Sequence, residues 1–402
     1  MQVPRTILYT GKGGVGKTSA AAATARRCAA EGLRTIVLST DPAHSLSDSL
    51  GTELGSDPTP AGKCLWGQEV RAQRELEAHW AAARRWLAAL LADRGVDQIR
   101  AEELTVPPGM DELFSLLQIK RHHGAGDFDV VIVDCAPTGE TLRLLGFPDI
   151  ARWWLNRVFP REGRLLGMAR PIARTLDLAF PEPEVVSEVQ RLVENLIEMD
   201  TILRDHSSCS VRLVMNPDRM VIREAQRTFT YLNLYGYLTD AVIVNRVFPA
   251  EVEGGYFGAW RESQHRHLEA IEEGFAPVPV LQARYFDREV AGGEMLDRLG
   301  EELFAGGDPS AVMHGGLAHR LSTDDGEATL RIAVPFAERA DIDLKKVGDE
   351  LIVSVGGDRR TIILPSALAD QRPSGAAHAD GVLTVRFEHA PATPTGPQPE
   401  RV

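Results

Sequence analysis

The densest chemistry in the chain lies in Gly11-Lys-Gly-Gly-Val-Gly-Lys-Thr18. Gly11, Gly13, Gly14 and Gly16 let backbone N–H groups turn toward an anion with no Cβ in the way. Val15 and Ser19 share the same turn. Lys17 has the spacing to reach the β- and γ-phosphates of a nucleotide, and Thr18 offers a hydroxyl to Mg²⁺. The context suits that chemistry, with a β-branched run before the loop ("RTILYT") and an Ala-rich helical stretch after it. ATP with Mg²⁺ is the expected ligand pair.

Lys12 is a second lysine that the loop does not need. It is either a solvated surface charge or a cation that one subunit sends into phosphates bound by another. In the second role it would neutralise charge that develops during phosphoryl transfer. Asp41 follows the run "RTIVLST", where a carboxylate can orient a water for attack on the γ-phosphate or hold the Mg²⁺ shell. A helix N-cap is the structural alternative. His44, three residues on, reads as switch packing rather than as a base. Asp134 ends the apolar run "DVVIVD" and takes the place of the metal-water aspartate opposite Thr18. Gly139 is placed for a backbone approach to the γ-phosphate.

These residues need a scaffold that puts several strand ends side by side. Over the first ~300 residues, short apolar runs alternate with longer helical stretches, the pattern of a parallel sheet covered on both faces. The strands are expected at Arg5–Thr10, Arg34–Thr40, Asp129–Cys135, Val211–Asn216, Ala241–Val247 and Pro277–Ala283. The reactive residues sit at their carboxyl ends, as such sheets require. Helical insertions are expected over about 65–125, including a long amphipathic helix from Arg71 to Asp93, and over 151–205. A Gly-rich linker (306–326) precedes a small antiparallel β-domain at 327–390, with a hairpin around Gly356-Gly357-Asp358. Residues 391–402 form a Pro-rich tail that reads as disordered.

The chain has 402 residues, 44% of them hydrophobic, and a net charge of −13. That excess of acid disfavours nucleic acid as a partner. No apolar run reaches membrane-span length, and the N-terminus enters a strand too soon for a signal peptide, so a cytoplasmic protein is expected. The four cysteines are scattered, without a C-x-x-C, and a reducing compartment suits them.

The loop with its extra lysine resembles the deviant phosphate loop of dimeric switch ATPases. The stretches "STDPAHSLSD", "PPGMDE" and "DCAPTGETLRLL" narrow the resemblance to the arsenical-pump ATPase (ArsA) family, including the branch that guides tail-anchored membrane proteins. It covers roughly residues 5–300 and implies an ATP-hydrolysing, Mg²⁺-dependent P-loop enzyme that works as a homodimer. By that resemblance Lys12 reaches the partner's nucleotide, Asp41 positions the attacking water, and Asn245 of "VIVNR" contacts adenine. Asp218 of "MNPDRM" would also touch nucleotide, and a loop near Pro279–Leu281 would pack on adenine. The zinc-binding C-x-x-C usual in the tail-anchor branch is absent, so no zinc-clamped dimer is expected. Nor do widely spaced cysteines support a metalloid site. Glu140 replaces the common histidine of switch II.

The terminal run "VPFAERADIDLKKVGDELIVSVGGDRRTIILP" resembles an α-crystallin-like, small heat-shock domain. In the tail-anchor branch, helices after switch II build a groove for a hydrophobic client. Here that segment carries Trp153, Trp154, Phe159, Leu165, Met168, Ile172 and Leu176. A hydrophobic protein client is one reading of these residues; packing against the sheet is the other. A metalloid-pump motor and a membrane-associated positioning ATPase are the alternative functions.

Overall fold

The computed structural model describes residues 3–40, 45–71, 85, 110–135, 183–252, 255–316, 319–324, 327–334, 339–348, 350–355, 358–364, 368 and 371–389. The chain divides into two units, Met1–Gly316 and Leu317–Val402.

The first unit is built on an eight-stranded sheet. Its elements run β1 (Arg5–Thr10), α1 (Lys17–Ala30), β2 (Thr35–Ser39), α2 (Ser45–Leu50), β3 (Thr59–Gly62), β4 (Leu65–Glu69), α3 (Met110–Ala125) and β5 (Val130–Asp134). Then follow α4 (Pro183–Leu203), β6 (Cys209–Met215), α5 (Arg219–Tyr235), β7 (Thr239–Val247), α6 (Gly255–Phe275), β8 (Val280–Arg284) and α7 (Gly292–Phe304). The strand order is β3-β4-β2-β5-β1-β6-β7-β8. Every neighbouring pair is parallel except the edge pair β3–β4. The six expected strands are all present, shifted by a few residues at some ends.

Alternation along the strands divides the core into two layers, one on each face. Leu8, Ile36, Leu38, Val131 and Val133 pack with α3 and α4 on one face. Ile7, Tyr9, Val37, Ile132 and Val214 pack with α1 and α7 on the other. The alanines of α1 allow a close approach there. A Cβ on Gly300 of α7 would lie 3.1 Å from the Ala23 carbonyl.

Two expectations change. The helical insertion was expected to begin at about residue 65, but Leu65–Glu69 is a strand paired to β2. Its polar ends disguise it: Gln68 and Glu69 are buried, and their partners come from distant segments. Gln68 donates to the Ser56 carbonyl through Nε2 and accepts from His122 Nε2 through Oε1, and Glu69 receives the Ser47 N–H. The amphipathic helix expected at Arg71–Asp93 falls almost wholly outside the described residues. So do residues 136–182, which include the seven apolar residues from Trp153 to Leu176.

The second change concerns the linker. Within 306–326, β9 (His319–Asp324) pairs antiparallel with β10 (Glu327–Ala333). The second unit thus starts its sheet before residue 327. Its other strands are β11 (Ile342–Val347), β12 (Glu350–Val355), β13 (Asp358–Ile363), β14 (Gln371–Ala379) and β15 (Val382–His389). They form an antiparallel sheet of order β14-β15-β10-β9 and another of order β11-β12-β13. Strands β12 and β13 pair across the expected hairpin, with Val355 opposite Asp358.

A charged network is buried in the first unit. Arg212 and Asp240 are both fully buried and face each other at 3.4 Å. Arg5 reaches the same carboxylate at 3.1 Å. Arg212 also donates to the Tyr9 hydroxyl, and Thr24 donates to the Ala20 carbonyl. The Tyr9 proton must therefore point to Thr24, 2.5 Å away. This relay ties the strand before the phosphate loop to the helix after it. The arginines also hold the chain that follows α7, through the carbonyls of Ser310 and Ala311. Among the described residues, no helix is long and apolar enough to cross a membrane.

His122 of α3 is buried against Phe128, with Nε2 2.6 Å from Gln68 Oε1. Burial, aided by the nearby Arg121 charge, depresses its pKa from 6.5 to about 4. The folded state therefore holds it neutral, while the unfolded chain protonates it first as pH falls below 6.5. Its stability contribution is complete above pH 6.5 and is lost as pH falls toward 4. Between pH 7 and 5 the cost is about 2 kcal/mol from this residue. The pH dependence of the urea midpoint over that range should be visibly flatter in His122→Gln.

Candidate active site

The phosphate loop runs from the carboxyl end of β1 into α1, and two contacts leave it little room. A Cβ on Gly11 would sit 2.1 Å from the Val214 carbonyl oxygen of β6. One on Gly16 would sit 2.3 Å from Asn245 Nδ2, and Gly16 has φ +96°. Only glycine satisfies both the approach and the left-handed backbone. Gly14 is also left-handed, at φ +79°. Gly16 is the N-cap of α1 and offers no side-chain cap. The first N–H groups of the helix are thus directed, with its dipole, at the loop.

Lys17 begins α1 and is buried, with Nζ 3.4 Å from the Lys12 carbonyl. Thr18 Oγ1 donates to Asp134 Oδ2 at 2.6 Å, and Ser45 Oγ lies 3.2 Å from the same hydroxyl. Asp134 is fully buried at the end of β5, and β5 is hydrogen-bonded to β1, so adjacency of the strands creates this pair. The donors are all oxygens, two hydroxyls and a carboxylate, which is the set a hard divalent cation takes. Ser45 was not singled out as a site residue, although it lies within "DPAHSLSD". Its relation to Thr18 appears only when α2 folds beside α1.

Asn245, near the end of β7, braces the loop. Its Nδ2 donates to the Val15 carbonyl at 2.9 Å, and its Oδ1 accepts the Arg246 N–H. Beyond it opens a cleft of about 470 Å³, lined by Gly16, Ser19, Asn245, Arg284, Tyr285 and Phe286, among others. Tyr285 stacks on Phe248, with ring planes 20° apart. The cleft residues Tyr285 and Phe286 had no sequence signal beyond their place just after β8. The expected adenine-packing stretch Pro279–Leu281 lies a few residues earlier. Asp218 is exposed and caps α5, accepting the Met220 N–H at 2.9 Å, and it is not among the residues lining the cleft. Lys12 points elsewhere again, to Glu224 of α5 at 3.3 Å. Asp41, His44 and Gly139 lie outside the described residues.

A glycine loop capped by a helix N-terminus, a buried lysine, and a hydroxyl–aspartate pair on adjoining strands define an ATP-hydrolysing P-loop enzyme. Residues 4–305 match the anion-transporting ATPase family, and residues 325–387 match the HSP20-like domain found in ArsA. The chain belongs to the ArsA ATPase family. It is 38% identical over 388 residues to the putative arsenical pump-driving ATPase of Chlorobaculum tepidum, with 96% of each chain covered. It is 35% identical to putative arsenical pump-driving ATPase 1 of Aquifex aeolicus, over 92% of this chain and 97% of that one. With ATPase GET3B of Arabidopsis thaliana it shares 28% identity, over 72% of this chain and 76% of that one.

Gly16→Ala should cost at least roughly tenfold in ATP affinity, because strain and displacement of Asn245 both oppose the bound loop. Titration with a fluorescent ATP analogue measures it, and unchanged affinity would show that the loop relaxes freely.

Proposed function

We propose that the chain is a Mg²⁺-dependent homodimeric switch ATPase with a deviant phosphate loop, whose nucleotide state governs the holding of a hydrophobic protein client. The observation that carries the dimer is the position of Lys12. Its ammonium lies at the protein surface on α5, while Lys17 occupies the phosphate end of the loop. A loop lysine that faces outward is suited to a second chain's phosphates.

In this reading Thr18 and Asp134 hold Mg²⁺, with Ser45 beside them. When bound, the ion would offset charge on the β- and γ-phosphate oxygens. The helix N-terminus and Lys17 bind and orient the phosphates. Asn245 engages the Val15 carbonyl, which keeps that oxygen from facing the anion. Asp41 orients the attacking water, and Lys12 of the opposite subunit stabilises the charge of transfer.

The client part rests on the apolar residues from Trp153 to Leu176 within the expected insertion 151–205 and on the heat-shock-type second unit. The enclosure of three of the four thiols, which leaves only Cys64 partly exposed, favours it over a metalloid motor, even though relatives carry pump-driving names. Cys28, Cys135 and Cys209 are buried, and burial pushes the Cys28 and Cys209 thiols up to about 12 and Cys135 higher still. Protonated, enclosed thiols make poor metalloid ligands.

Lys12→Ala should lower turnover by about 100-fold while ATP binding to the dilute chain persists. Near-normal turnover would remove Lys12 from the mechanism. Affinity-purified protein should also retain a co-expressed single-span segment in at least one nucleotide state. Failure in all states would leave the ATPase assignment standing and end the client proposal.

A further inference from the structure

Lys12 is held at two points. Its carbonyl receives the Lys17 ammonium at 3.4 Å, and its own ammonium rests on Glu224 at 3.3 Å. Glu224 stands on the first part of α5, the helix that Asp218 caps. Lys12 is followed by Gly13 and Gly14, so the backbone on that side of it turns readily once released, while Gly11 stays fixed against Val214. A Cβ on Gly13 or Gly14 would meet nothing within 4 Å, which leaves that side of the loop open to movement.

We propose that Glu224 is a positioning residue that moors Lys12 in the free chain, and that the two contacts are released in order. This rests on the homodimer reading above. ATP entering the chain's own loop draws the Lys17 ammonium to its phosphates, and the Lys12 carbonyl loses its donor. The peptide then turns on its glycines. The phosphates of a second chain, richer in charge than one carboxylate, draw the Lys12 ammonium from Glu224. Lys12 thus becomes available to a partner only after its own subunit is loaded.

The mooring is shallow by design of the surface: both side chains are partly open to water, with exposures of 41% and 37%. A pair of that kind biases an equilibrium by roughly two- to five-fold. That is enough to delay association of empty chains and too little to oppose bound triphosphate.

The test compares full-length wild type, Glu224→Gln and Glu224→Asp. Turnover per chain is measured against protein concentration, and self-association is measured by sedimentation with Mg·ADP·fluoroaluminate. Glu224→Gln should reach half-maximal turnover at roughly two- to five-fold lower protein concentration, with an unchanged plateau. Glu224→Asp should stay near wild type. In a Lys12→Ala background, Glu224→Gln should leave association unchanged, because the Lys12–Glu224 pair is already absent there. A Glu224→Gln curve that superimposes on wild type overturns the mooring and leaves the homodimer intact. So does an equal effect in the Lys12→Ala background, which would give Glu224 a merely structural role. If wild type sediments as a monomer with Mg·ADP·fluoroaluminate, the homodimer reading fails and the mooring falls with it.

Discussion

The site depends on a steric constraint: the phosphate loop is squeezed between two neighbours that admit no side chain. Gly11 lies under the Val214 carbonyl and Gly16 against the Asn245 carboxamide. Because β6 and β7 supply these walls, the loop's conformation is set by strands on one side of β1. The Thr18–Asp134 bond supplies the other side, from β5. An anion-binding loop would otherwise be a flexible, Gly-rich segment with a large conformational entropy to lose. Here the sheet orders the two ends of the loop, at Gly11 and Gly16, before any phosphate arrives, and leaves Gly13 and Gly14 open.

The buried Arg5–Asp240–Arg212 network extends the same logic through the sheet. Buried ion pairs are seldom a strong source of stability, since desolvation offsets their attraction. What this one supplies is position. Through Tyr9 and Thr24 it fixes β1 against α1, and through Ser310 and Ala311 it fixes the chain that leaves α7. The element that presents the loop and the segment that leads out of the first unit are thus anchored to one carboxylate, Asp240.

Much of this was legible in the residues. Six parallel strands announced themselves because most are apolar on both faces, and Arg5–Thr10 was placed to the residue. The loop and Asp134 were visible because their types and spacing have few other uses, and Asn245 was pointed to by the family resemblance alone. The pair β3–β4 was not, because "LWGQE" buries a glutamine and a glutamate whose partners lie far along the chain. For β9 the obstacle was its neighbourhood, a Gly-rich passage that reads as linker until β10 is laid beside it. Ser45, Tyr285 and Glu224 escaped notice for one shared reason: each acts on a residue distant in sequence, and nothing local marks it.

The sequence by itself determined the class of chemistry, because a phosphate loop is a local object: its glycines, its lysine and its threonine do their work within one turn. It also determined the parallel sheet and the family. Only the tertiary structure decided that Ser45 joins Thr18 and Asp134, what braces the loop, and where Lys12 rests. Those are matters of which strand lies beside which and where a helix crosses, and they come from packing of distant segments, which no spacing of neighbours encodes.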